Sequence, residues 1–155
     1  MAACEIRRIQ PEEIGRALEI LSKWNMAPIA PSPEIPDPER AELAADYTLV
    51  ALYGERVVGV ASYILLGADR AETASLAVDP EWRGKGIGEA LQRARLEELR
   101  ARGVRHVRTE TDRPETVAWY VRKFGYRIAG TARKKHPFSL PGVDHWTVLT
   151  LDLGD

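Results

Sequence analysis

The sequence predicts a single α+β domain, residues 1–155, with a central sheet that is mixed but mostly antiparallel. Two β-rich runs at 47–53 and 57–66 are separated by a Gly-Glu-Arg tripeptide, which is typical of a β-hairpin. In the middle of the chain, β-rich runs at 72–78 and 104–110 enclose a stretch of helical periodicity. One strand–helix–strand unit is therefore expected inside an otherwise antiparallel sheet.

The N-terminal third is predicted to contain one strand, one helix and an irregular loop. Residues 5–9 form a short β-rich run. Residues 11–24 carry apolar side chains at helical spacing, with acidic residues in the first turn, and this pattern indicates a helix. Prolines recur between residues 25 and 38, so an irregular loop is expected there, followed by a short helix over residues 38–46.

The C-terminal half is predicted to alternate helices and strands. After the strand at 72–78, a glycine-containing loop leads into a helix with its apolar residues on one face, and Gly103 ends that helix. A second helix is expected over residues 114–124, because proline opens its first turn and Gly125 follows its last residue. Two closing strands are expected at 126–134 and 145–153.

Composition and charge exclude several classes of function. The net charge of −1 gives no electrostatic basis for binding nucleic acid or an anionic membrane. No apolar run approaches the roughly 20 residues that span a bilayer, and the N-terminus lacks the apolar core of a signal peptide. The single cysteine, Cys4, excludes an internal disulfide and a multi-cysteine metal site. A cytoplasmic protein that acts on small molecules is expected.

The loop before the middle helix combines alternating glycines with two basic residues: Arg83, Gly84, Lys85, Gly86 and Gly88. Bare glycine backbone, positive side chains and the unbonded N–H groups of a helix N-terminus all favour a phosphate. The alternative is a plain tight turn with solvated basic residues. A nucleoside-triphosphate loop would need Ser or Thr after Gly-Lys, and a dinucleotide fingerprint would need glycine where Glu89 stands. The nucleoside-triphosphate interpretation fails, and the dinucleotide interpretation is disfavoured.

This stretch resembles the acyl-CoA-binding signature of the GNAT superfamily of N-acyltransferases, Arg/Gln-x-x-Gly-x-Gly/Ala. In the segment LAVDPEWRGKGIGEAL, the fixed positions are occupied by Arg83, Gly86 and Gly88. The order of predicted elements is similar to that family over essentially the whole chain. The resemblance implies a sheet of six to seven strands, splayed in the middle and flanked by about four helices. It also implies acetyl-CoA as co-substrate, an amine acceptor, no metal, and a homodimer.

The resemblance further implies where the donor lies. The pyrophosphate of acetyl-CoA would rest on backbone amides of the loop, namely those of Arg83, Gly84, Lys85, Gly86, Ile87 and Gly88. The pantetheine arm would pair with main-chain groups of Leu76, Ala77 and Val78. The thioester would lie where the two central strands splay apart, and a backbone N–H near Leu76 would stabilise the oxyanion.

The chemistry requires a base and an acid. An amine acceptor is mostly protonated at neutral pH, since a lysine-like ammonium group in water has a pKa of ~10.4, and Glu72 and Glu110 are the candidates that remove this proton. Tyr120 is the candidate acid for the departing thiolate. The family's tyrosine position falls on Val121, and one residue is about 100° around a helix. Each carboxylate could instead be a solvated strand-end charge, Tyr120 could simply pack against the sheet, and water could protonate the thiolate.

Two further functions stay open on the sequence alone. The chain could bind acyl-CoA as a non-catalytic sensor or pseudoenzyme, which would release no thiol when offered an amine. It could also be an interaction module that binds no CoA. Acceptor specificity is expected in the segments 24–46 and 133–146, which carry charges of both signs and leave the acceptor undecided.

Overall fold

The computed structural model of the protein describes residues 4–24, 45–134 and 139–154. The irregular loop predicted at 25–38 lies outside these residues, as does most of the short helix predicted at 38–46. Residues Ala45–Tyr47 form a 3-10 turn.

Seven strands and three α-helices occur in the described part of the chain. The strands are β1 (Glu5–Arg8), β2 (Thr48–Tyr53), β3 (Arg56–Leu65), β4 (Arg70–Val78), β5 (His106–Thr111), β6 (Arg127–Arg133) and β7 (His145–Asp152). The helices are α1 (Ile14–Ser22), α2 (Ile87–Ala101) and α3 (Pro114–Phe124). Helix α3 has the predicted bounds, because Pro114 starts it and Gly125 ends it with a φ of 73°.

The strands form one sheet in the order β1-β2-β3-β4-β5-β7-β6. Only the central pair, β4 and β5, is parallel, and the other neighbouring strands are antiparallel. Helix α2 connects the parallel pair, as expected for a strand–helix–strand unit. The predicted α+β class and the mostly antiparallel sheet are confirmed.

The two central strands separate after a short paired region. Pairing joins Arg70–Thr73 to His106–Thr109, and β4 then continues to Val78 with no strand of the described residues paired to that side. A bulge in the pairing of β3 with β4 lies between Ala61 and Tyr63, next to the point of separation. The sheet is therefore splayed in the middle, as predicted.

Helices cover both faces of the sheet. On one face, α1 packs its buried Ile20 and Leu21 against a cluster that includes Val50 and Val60. On the other face, α2 packs Ile87 and Leu91 against the neighbouring side chains of the same strands: Leu49, Ala51, Val58 and Ala61. Helix α3 joins α2 on this second face through a cluster that contains Tyr120 and Leu99.

A fully buried arginine connects α2 to the bulge. The Arg95 guanidinium donates from Nη1 to the carbonyl oxygens of Ser62 (3.0 Å) and Ser75 (3.3 Å). Its Nε and Nη2 atoms donate to Gln92 Oε1, and Nη2 also donates to the Tyr120 hydroxyl at 3.3 Å. Because each nitrogen of this guanidinium has a partner, the charge is solvated by dipoles of the protein itself.

Replacing Arg95 with alanine is expected to destabilise the protein by about 3 kcal/mol or more, because buried acceptors lose their donors and a cavity forms. The measurement is the free energy of unfolding in urea. The matched control is Arg100→Ala on the exposed side of the same helix, which should change that free energy by less than about 0.5 kcal/mol. Equal effects of the two substitutions would contradict a structural role for the buried guanidinium.

Candidate active site

The glycine loop has the backbone geometry of a helix N-terminus that is open to a ligand. Gly84 and Gly86 both have a φ of 77°, a conformation that side chains with a Cβ rarely adopt. Helix α2 begins directly after Gly86, which supplies no side-chain cap to the first N–H groups of the helix. The loop residues from Arg83 to Gly86 are exposed. The positive end of α2 therefore faces solvent beside two basic side chains.

A buried carboxylate fixes the start of this loop. Asp79 has no exposed surface, and its side chain accepts from the Glu81 N–H at 3.1 Å and from Arg16 Nη2 at 2.5 Å. Lys23 Nζ lies 3.5 Å from the same carboxyl group. Burial pushes the pKa of Asp79 up, but these hydrogen bonds and charges hold it below its usual range. The loop is thereby tied to α1, a role that the sequence analysis did not assign to Asp79.

The free edge of β4 lies between this loop and the point where the strands separate. Leu76, Ala77 and Val78 pair with β3, and the N–H of the next residue, Asp79, donates to the Val58 carbonyl at 2.8 Å. Because successive residues of a strand point their main-chain groups to alternate sides, those of Leu76 and Val78 point away from β3, toward the gap. The Val78 carbonyl accepts from Trp24 Nε1 at 2.8 Å.

Two carboxyl groups meet where β4 and β5 begin to separate. Glu72 and Glu110 are close enough for the charge of Glu110 to act on Glu72, and Arg108 lies beside both, with Nη2 3.0 Å from Glu110 Oε2 and Nε 3.7 Å from Glu72 Oε1. Burial, and then the charge of Glu110, raise the pKa of Glu72 to about 7, against the opposing charge of Arg108. This carboxyl group can therefore accept or release a proton near neutral pH.

Tyr120 lies on the opposite face of the sheet from this pair. Helix α3 turns Tyr120 inward, where it is 3% exposed, and turns Val121 outward, where it is 37% exposed. The Tyr120 hydroxyl accepts from Arg95, and Arg95 also donates to the carbonyl of Ser75. Ser75 lies two residues after Thr73, the last residue of β4 that pairs with β5. The hydroxyl therefore lies near the inner end of the gap, although its sequence position is one residue from that of the family signature.

A second buried carboxylate ends β5. Asp112 accepts from Lys134 Nζ (2.6 Å), from the Ser139 hydroxyl (2.6 Å) and from the Leu140 N–H (2.8 Å). Burial opposes ionisation, but these bonds hold the pKa of Asp112 below its usual range. Lys134 Nζ also lies 4.5 Å from the centre of the Trp146 ring. Asp112 thus anchors the connection between β6 and β7 to the end of β5.

The described residues contain no group of three or more His, Cys, Asp or Glu side chains that could hold a metal ion. Among the same residues, no helix is long and apolar enough to cross a membrane.

A sequence model of the Acetyltransferase (GNAT) family matches residues 17–126, which is more than half of the chain. The chain belongs to this family. As a GNAT protein it is an acyltransferase. The match spans the free edge of β4, the glycine loop and both helices beside the gap. No curated protein matches the sequence significantly.

Solved structures share the fold of this GNAT protein. Ard1 from Thermoplasma volcanium is 21% identical, with a TM-score of 0.76 over 99% of this chain and 100% of that chain. The ribosomal-protein-S18-alanine N-acetyltransferase from Escherichia coli is 19% identical, with a TM-score of 0.74 over 99% and 96%. YncA from Salmonella typhimurium, solved with its cofactor acetyl-CoA, is 17% identical, with a TM-score of 0.73 over 99% and 96%. These likenesses establish the fold.

The raised pKa of Glu72 predicts how stability depends on pH. A carboxyl whose pKa is higher in the folded chain than in the unfolded chain stabilises the fold at low pH, and this contribution is lost as pH rises through the folded value of about 7. Between pH 5 and 8, the free energy of unfolding of the wild type should therefore fall, relative to Glu72→Gln, by on the order of 1 to 2 kcal/mol.

The measurement is urea denaturation of both proteins across that range of pH. Glu97→Gln, an exposed change on α2, is the control and should keep the pH dependence of the wild type. Parallel curves for the wild type and Glu72→Gln would contradict the raised pKa of Glu72.

Proposed function

We propose that this protein transfers an acetyl group from acetyl-CoA to a primary amine by direct attack in a ternary complex. The observation that carries the proposal is the continuity of two features: the edge of β4 that pairs with no described strand beyond Thr73 runs into the exposed glycine loop at the N-terminus of α2. Together they match the two halves of acetyl-CoA, an extended amide-containing arm and a pyrophosphate.

The glycine loop would bind the pyrophosphate. With φ values of 77°, Gly84 and Gly86 let the backbone turn so that N–H groups of the loop and of the first turn of α2 converge on an anion. Lys85 is exposed on the same loop and adds positive charge. Ile87 is buried and Gly88 lies against Val78, so the far side of the loop is packed against the sheet. All six residues Arg83–Gly88 remain proposed donor-binding residues.

The pantetheine arm would lie along the free edge of β4. Main-chain groups of Leu76 and Val78 point into the gap and would pair with amides of the arm as a neighbouring strand does, while Ala77 keeps the strand paired with β3. The thioester would then lie near the bulge, and the Leu76 N–H would donate to the oxygen on which negative charge develops.

The carboxyl pair would activate the amine. Glu72, with a pKa of about 7, is partly ionised at neutral pH and lies within reach of the charge of Glu110. A proton taken from the ammonium form of the acceptor, directly or through one water, would enter this pair, and Arg108 would balance the remaining charge. Both groups lie on the face of the sheet that α1 covers, so the amine would approach from that face.

Tyr120 would supply the proton to the departing thiolate from the other face. Because its oxygen accepts from Arg95, its own O–H is directed elsewhere and can donate. The buried guanidinium also stabilises the phenolate that this donation leaves. A cytoplasmic location and a homodimer stay predictions from the sequence.

The alternative function is a non-catalytic sensor of acyl-CoA. It is favoured by the 3% exposure of Tyr120, which leaves the hydroxyl little access to a thiolate. An enzyme releases free thiol when acetyl-CoA and a panel of amines are supplied, and a sensor does not. Thiol release measured with a colorimetric disulfide reagent separates the two.

Acetyl-CoA is expected to bind the wild type with a micromolar Kd in a calorimetric titration, and Gly86→Glu should weaken this by at least about 100-fold, because it places a negative charge where the pyrophosphate is bound. Gly103→Glu is the control, since Gly103 has a similar φ of 85° beyond the other end of α2. That variant carries the same charge and similar backbone strain but should keep the affinity of the wild type. Absence of binding by the wild type would overturn the proposed function.

Tyr120→Phe is expected to lower kcat by about 10- to 100-fold, because the thiolate then leaves without an acid. The Kd for acetyl-CoA should stay unchanged. Tyr126→Phe is the control, since it removes a hydroxyl from the same buried cluster, where Gln92 Nε2 donates to it at 2.9 Å. Equal kcat values for Tyr120→Phe and the wild type would assign the proton to water.

A further inference from the structure

Trp24 holds a main-chain acceptor at the free edge of β4. Its indole Nε1 donates to the Val78 carbonyl at 2.8 Å. This carbonyl points into the gap between β4 and β5, because the adjacent Asp79 N–H is already directed to β3, where it donates to Val58. The indole therefore lies on the side of β4 where a neighbouring strand would pair.

Two arginines from different elements hold the indole in this position. The Arg83 guanidinium, from the glycine loop, lies 5.6 Å from the centre of the Trp24 ring. The Arg113 guanidinium, from the residue before α3, lies 5.5 Å from the same ring. Both distances are typical of cation–π contacts. Trp24 thus connects the end of β4, the donor loop and the start of α3 across the mouth of the gap.

The arrangement leaves a polar group unsatisfied. Arg113 Nε is buried and has no hydrogen-bond partner among the described residues. A buried N–H without an acceptor is unfavourable. The contacts around Trp24 therefore carry a cost, because they leave one N–H of Arg113 unsatisfied. A rearrangement that moves Trp24 would let this guanidinium reach water or a ligand.

We propose that Trp24 competes with the pantetheine arm of acyl-CoA for Val78, and that donor binding displaces the indole from the mouth of the gap. The inference rests on the proposed function, in which the arm pairs with Leu76 and Val78. An amide N–H of the arm and the indole N–H seek the same carbonyl from the same side, and the ring fills the space that the arm needs. Trp24 is then a residue that sets the affinity for the donor.

Trp24 should affect the binding of the two halves of the donor differently. The nucleotide end binds at the glycine loop and does not need Val78, so displacement of Trp24 lowers the affinity of the whole donor without lowering that of the nucleotide alone. Trp24→Phe removes the N–H donor while keeping an aromatic ring between the two arginines. The loss of one hydrogen bond to a competing group should make acetyl-CoA bind roughly three- to tenfold more tightly.

The test is a calorimetric titration with two ligands: acetyl-CoA, and adenosine 3′-phosphate 5′-diphosphate, which lacks the pantetheine arm. Trp24→Phe should bind acetyl-CoA more tightly than the wild type and bind the nucleotide equally well. Trp119→Phe, a change in α3 where the ring packs against Tyr120 and Phe124, is the control and should leave both affinities unchanged. Thermal unfolding of each variant verifies that it is folded.

A second measurement, of tryptophan fluorescence, does not depend on a gain in affinity. Acetyl-CoA should change the intrinsic tryptophan emission of the wild type, because the indole leaves two guanidinium groups, and this change should be absent in Trp24→Phe. Acetyl-CoA binding that is unchanged or weakened in Trp24→Phe overturns the competition, as does an equal gain for the nucleotide. If the wild type binds neither ligand, the proposed function fails, and the competition falls with it.

Discussion

The separation of β4 from β5 is the constraint on which the proposed chemistry depends. Up to Thr73 and Thr109 the strands share a parallel ladder, and beyond it the edge of β4 pairs with no other strand that the structure describes. A carboxyl pair lies at the point of separation on one face, and a tyrosine hydroxyl lies near it on the other. Arg95 stabilises this separation, because it donates to carbonyl oxygens of β3 and β4 at the bulge. These oxygens thereby keep hydrogen-bond partners where the strand pairing is irregular.

Both central strands end in the same way. Asp79 follows β4 directly and Asp112 follows β5 directly, and each is a buried carboxylate that accepts from a main-chain N–H and from a basic side chain of another segment. Asp79 connects its strand to α1, and Asp112 connects its strand to the residues between β6 and β7. A buried carboxylate with several directional hydrogen bonds permits few alternative positions. The bonds of Asp79 and Asp112 therefore fix the positions of the ends of β4 and β5, which border the gap.

Much of the fold could be predicted from the sequence, because the relevant signals are local. The β-hairpin, the proline and glycine that bound α3, and the glycine loop depend on neighbouring residues, and the structure confirms these elements. Tyr120 could be named as a candidate but its orientation could not, since rotation of α3 depends on packing against α2. Its assignment as an acid stays a prediction.

Other parts of the site depend on residues that are distant in sequence. Arg95 and Gln92 lie on the buried side of α2. The signal for Arg95 in the sequence is its spacing, since it comes four residues after the apolar Leu91 and therefore lies on the same helix face. Nothing local predicts that Trp24 contacts Val78, or that the charge of Glu110 acts on Glu72, because each pair is formed only when the strands and helices assemble.

The paired region between β4 and β5 is short: four residues of each strand join a four-stranded part of the sheet, β1–β4, to a three-stranded part, β5–β7. Because this ladder is short, it contributes few main-chain hydrogen bonds to the junction. The angle between the two parts is then governed by side chains packed across the junction. One cluster, which contains Leu96, Leu99, Tyr120 and Leu149, includes residues of both parts and of helices α2 and α3. The width of the gap is consequently adjustable from a distance, by changes of side-chain volume at core positions such as Leu99 and Leu149, which take no part in the proposed chemistry.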